Sequence, residues 1–132
     1  MRFSDWPEKL AAYVAARGNQ RFEWGKGKQD CCSFAAGAVL AMTGRDVMAD
    51  IPDYADAAEA DIVIGEHGLA ALLDARFERR RSPGLMQRGD VCLVEIEGRQ
   101  SVMVCVGAEI VGAGKLKLQY LPRSAALIAW AV

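Results

Sequence analysis

The run Asp90-Val91-Cys92-Leu93-Val94-Glu95-Ile96-Glu97-Gly98-Arg99-Gln100-Ser101-Val102-Met103-Val104-Cys105-Val106-Gly107 holds two apolar, β-branched segments separated by Glu97-Gly98. An acidic residue followed by glycine supplies the left-handed backbone of a tight hairpin, so the two segments pair antiparallel. Working outward from this pair, Gly107 to Glu109 and Gly112 to Lys115 mark two further turns. The predicted strands are 91–96, 101–106, 109–111, 116–120 and 127–130, with chain neighbours paired antiparallel.

Before Pro83-Gly84 the periodicity is helical. Trp6, Leu10, Tyr13 and Val14 recur at helical spacing behind Ser4, Asp5 and Pro7, giving a helix over 5–17 that Gly18 stops. From Asp30, the residues Cys31, Phe34, Ala35, Ala38, Val39 and Met42 form one apolar face, and Ala36 and Leu40 make the other side apolar too. That helix is expected to be buried nearly all round and to end at Thr43-Gly44. A short exposed helix is expected within 53–61, and another over 68–75 with Leu69, Leu72 and Leu73 buried. Helices first and strands second give an α+β domain of about five strands.

At 132 residues the chain suits a single domain, 1–132, able to bury a core without disulfides or metals. The net charge of −1 gives no broad attraction to nucleic acid or to an anionic membrane. Arg79-Arg80-Arg81 reads as a solvated strand end or loop. No basic start leads into an apolar run, and no stretch has the length of a membrane span, which points to a cytoplasmic protein or one packaged in a larger particle. Cys31, Cys32, Cys92 and Cys105 lack the spacing of a disulfide framework and are expected to be reduced thiols.

Asp30 is a strong N-cap candidate, which sets the Cys31 sulfur in the first turn of a helix, near unpaired N–H groups and the positive end of the dipole. That favours a thiolate. An apolar surround and the Asp30 carboxylate push the other way, so the sequence leaves the sign open, and a cysteine simply packed on a core helix remains an alternative. Phe22 and Trp24 fall on a glycine-punctuated loop, where they either line a cleft or cap the core edge.

Trp24-Gly25, followed by Asp30-Cys31 opening an apolar helix, resembles the NlpC family of papain-like cell-wall peptidases. Arg88-Gly89-Asp90-Val91 is similar to that family's Gly-Asp turn into its first strand, and Ser101 to Gly107 stands where the family has the strand that begins with its catalytic histidine. The likeness covers 22–44 and 86–120. It implies a papain-like fold, with Cys31 as nucleophile and Trp24, Asp30 and Phe22 beside it.

The sequence departs from the family at Ser101. A hydroxyl has no pKa near neutrality and cannot replace an imidazole base, and the orienting position near Val111-Gly112 is apolar. The chain's one histidine, His67, lies within Gly65-Glu66-His67-Gly68, where it either substitutes for the base, with Glu66 or Asp61 as partner, or is a plain surface residue. Adjacent Cys31-Cys32 suits a tetrahedral ion poorly, the acidic residues from Asp50 to Asp61 lack calcium-loop spacing, and no phosphate loop is present, so no metal or cofactor is expected. The resemblance implies a degenerate, non-catalytic module of phage or prophage tails, whose partners are tail proteins or cell-wall peptide. The alternative is a thiol hydrolase cutting peptide or amide bonds with Cys31 and His67. A third reading is a partner-binding domain that presents Phe22, Trp24 and Tyr54.

Overall fold

The computed structural model describes residues 1–132 as an α+β fold: four helices and a six-stranded antiparallel sheet. The helices are α1 (Trp6–Arg17), α2 (Cys31–Thr43), α3 (Ala57–Ile64) and α4 (Gly68–Arg76). The strands are β1 (Arg80–Arg81), β2 (Val91–Ile96), β3 (Arg99–Cys105), β4 (Glu109–Gly112), β5 (Gln119–Pro122) and β6 (Ile128–Trp130). No helix is long and apolar enough to cross a membrane.

The β2–β3 hairpin forms at Glu97-Gly98, where both residues take positive φ, 52° and 79°. The sheet order is β1-β6-β2-β3-β4-β5. Sequential pairing therefore holds from β2 to β5 and fails at β6, which crosses to the other side of β2. β2 becomes a central strand buried on both faces. Val91 and Leu93 join the core under the helices, whereas Cys92 and Val94 join a second cluster with Met86, Met103, Cys105 and Ile110.

Three expectations need correction. The fourth strand runs over Gln119–Pro122 instead of 116–120, because Lys115 to Leu118 bond elsewhere: Phe22 N–H donates to Lys115 O at 3.2 Å and Leu118 N–H to Gly18 O at 3.2 Å. Arg80 and Arg81 form a sixth strand on β6, where Arg80 pairs with Asp74 at 2.8 Å and Arg81 with Asp90 at 3.0 Å. Leu40 is 45 % exposed, so α2 keeps one wet position despite its apolar sequence.

Helix α2 is the axis on which the rest packs. Gly44 ends it at φ 77°, donating its N–H to Leu40 O. Gly37 lets α1 approach, since a β-carbon there would collide with the Tyr13 hydroxyl and lie 2.6 Å from its ring Cζ. Tyr13 instead tilts against Phe34, at 5.4 Å between centroids, and donates to Phe34 O at 2.8 Å. Burial pushes its phenol up to about 12.

The Gly89-Asp90 turn has a structural cause. Asp90 is fully buried and accepts the Gln87 N–H at 2.9 Å, while Arg81 and Arg2 reach its carboxylate at 3.0 and 3.4 Å. Val132 N–H lies 3.4 Å away, so one carboxylate ties the first residues, the last residue and the edge strand together.

Candidate functional site

Asp30 caps α2 as expected. Its Oδ1 accepts Ser33 N–H at 2.8 Å, which satisfies one of the donors a helix start leaves free. The other oxygen accepts Gly25 N–H at 3.1 Å and the Tyr54 hydroxyl at 2.7 Å. Ser33 Oγ donates to Gly25 O and accepts from Gly27 N–H, both at 3.1 Å. Asp30, Ser33 and Tyr54 thus hold the 24–30 loop shut against the helix. Gly25, at φ 136°, is required there: a side chain would be strained and would meet Lys28 at 2.8 Å.

Tyr54 was missed as a site residue and stood instead among the aromatics a partner might touch. It is 8 % exposed, and its hydroxyl is committed to Asp30. Burial pushes its pKa up. Nothing local in the sequence linked it to Asp30.

With the cap in place, Cys31 opens the helix, partly buried, its Sγ 3.9 Å from that of Cys32. The Cys32 thiol hydrogen-bonds Cys31 and draws it down to about 7, against burial; the Val102 backbone N–H and the Ser101 hydroxyl act in the same sense, and the Asp30 charge opposes them. Cys31 thus takes the charge and Cys32 keeps the proton, its own thiol pushed well upward by that bond and by burial. The dipole of α2 favours a thiolate in this first turn.

Ser101 lies near the start of β3, across from Val94 on β2, and its hydroxyl faces the Cys31 sulfur. The imidazole of His67 does not join them. His67 is the N-cap residue of α4, its side chain 83 % exposed and 3.7 Å from Glu66, and it lines neither cavity that Cys31 lines. Asp61, its other proposed partner, pairs with Arg99 at 2.9 Å.

Phe22 and Trp24 form an edge-to-face pair, 4.9 Å between centroids, at one wall of an open cleft of about 620 Å³. Arg99 sits 5.2 Å over the Trp24 ring. Cys31, Gln100 and Ser101 line the same cleft, as do Lys115 and Lys117. Chemically, the arrangement offers a sulfur whose thiol is lowered by its neighbours, in a cleft with aromatic and cationic walls. No three His, Cys, Asp or Glu side chains gather as metal ligands.

No curated protein matches the sequence. A family model described as a domain of unknown function, DUF6950, matches residues 1–132, and the chain belongs to that family.

Proposed function

We propose that this chain is a papain-like domain of the NlpC type that has kept the seat of the nucleophile and lost the chemistry, and that it serves as a binding or assembly module of a phage or prophage tail. One observation carries the reading: Cys31 has the Cys32 sulfur 3.9 Å away and shares its cleft with Ser101 and Gln100, while the chain's one histidine is solvent-exposed and outside the cleft. Amide hydrolysis needs a proton delivered to the leaving amine, and a serine hydroxyl does not supply one near neutral pH. The tail role rests on the sequence resemblance. The test is incubation of the protein with cell-wall peptides, read by mass spectrometry, with Cys31→Ala as control. No Cys31-dependent cleavage is expected, and cleavage that Cys31→Ala abolishes would overturn the reading.

A second reading, a thiol hydrolase, is favoured by the lowered Cys31 thiol. A thiolate attacks activated acyl groups such as thioesters without a base, because it has already lost its proton. The new thioester to Cys31 forms as the substrate's own sulfur leaves as a thiolate that needs no acid. In this reading His67 plays no part, and the Cys32 thiol serves only to hold Cys31 as the thiolate. Burst release of thiol from a thioester, absent in Cys31→Ala, would separate it from the first.

A further inference from the structure

Behind Cys31 lies a second, apolar cavity of about 80 Å³, between α2, the sheet and the α3–α4 pair. Its wall is formed by Ala36, Ala60, Leu69, Leu73, Phe77 and Val102. Trp24, Cys31, Arg99 and Gln100 line both this cavity and the open cleft, so these side chains stand at the boundary between the two. The volume is about half that of a ~150 Å³ cavity able to hold a benzene ring. It fits three or four carbons, the size of a valine or leucine side chain.

The outer cleft sets the character of what carries that side chain. Lys115 and Lys117 are exposed, and neither belongs to an ion pair. Arg99 is already paired with Asp61, so these two lysines are the unpaired cations on the cleft against one carboxylate, Glu97, in a chain whose net charge is −1. The cleft, of about 620 Å³, has the Phe22–Trp24 pair as an apolar platform.

We propose that the two cavities together bind an acidic peptide segment, with one aliphatic side chain inserted past Cys31 into the apolar cavity. The inference rests on the reading of this domain as a binding module, and it names the chemistry of the segment. Burying each methylene contributes about 0.8 kcal/mol, roughly fourfold in affinity, so an isobutyl group outweighs a hydrogen by well over tenfold. Charge on the flanking residues adds a salt-sensitive increment.

The experiment titrates the whole protein, isotopically labelled for NMR, with three capped tripeptides: Asp-Leu-Asp, Asp-Gly-Asp and Asn-Leu-Asn. Asp-Leu-Asp is expected to bind at least tenfold tighter than Asp-Gly-Asp, and tighter than Asn-Leu-Asn at low salt only. Ala60→Leu, which fills the cavity, should erase the leucine advantage, and Ala36→Val serves if that variant does not fold. Lys115→Ala with Lys117→Ala should erase the charge advantage. No binding of Asp-Leu-Asp, or a leucine advantage that survives filling of the cavity, overturns the proposal. Cleavage of a bound peptide would instead overturn the non-catalytic reading and leave the pocket standing.

Discussion

The sulfur atoms of Cys31 and Cys32 stand 3.9 Å apart in the first turn of α2, and the hydrogen bond between them splits two like thiols into an acidic one and a reluctant one. The asymmetry comes from the surroundings. Val102 N–H and the Ser101 hydroxyl also lower the Cys31 thiol, whereas Cys32 is partly buried beside a sulfur that takes the charge first.

Alkylation by iodoacetamide should therefore follow a thiolate that titrates near 7 and disappear in Cys31→Ser. Cys32→Ala removes the largest cause and should move the midpoint upward by about a unit or more, with Ser101→Ala moving it less. His67→Ala should leave the midpoint unchanged. A shift in that variant would bring the histidine back to the site.

Stability should follow the same titration. The Cys31 thiol is lowered on folding from 9.0 to about 7, so between these values the unfolded chain binds more protons than the folded one. The contribution is full above about pH 9 and is lost as pH falls through 7. Denaturant midpoints should rise from pH 7 toward pH 9, by about 2 kcal/mol at most, and Cys31→Ser should flatten that rise. Above that window the sign reverses, since Cys32 and Cys92, the latter pushed by burial to about 12, hold their protons in the fold and release them on unfolding.

How much of this was legible in the sequence depended on whether a feature is local. The Asp30 cap, the Gly44 stop, the Glu97-Gly98 hairpin and the bounds of β2 each follow from a few adjacent residues. The β6 crossover, the two-residue β1 and the displacement of β5 follow from partners tens of residues away, which local spacing does not reveal. The site divides the same way. Cys31 was visible as a helix opener, but the Tyr54–Asp30 bond and the exposure of His67 depend on where the 45–67 segment folds.

Gly37→Ala tests the seat of α1 on α2. The added carbon collides with Tyr13, and the packed helices should lose about 2 kcal/mol, read as a lowered denaturation midpoint. Pairing it with Tyr13→Leu should recover part of that loss in a double-mutant cycle, since the obstructing ring is gone.

Asp90→Ala removes the one acceptor shared by Arg2, Arg81 and the Gln87 N–H. Two partly buried guanidinium groups lose their counter-charge, and a cost of about 3 kcal/mol is expected, with fraying of β1 and the C-terminus visible in hydrogen exchange. A neutral result would mean that the Gly89-Asp90 turn does not hold these ends.

The central claim is that the domain keeps a nucleophile's seat without its base. Ser101→His puts an imidazole where the hydroxyl now faces Cys31, so the direct measurement is cleavage of cell-wall peptides by the unmodified protein and by this variant, side by side. No Cys31-dependent cleavage by the unmodified protein is expected, and in Ser101→His the Cys31 midpoint should fall below 7 with cleavage at least detectable. Cleavage by the unmodified protein that is lost in Cys31→Ala would contradict the claim.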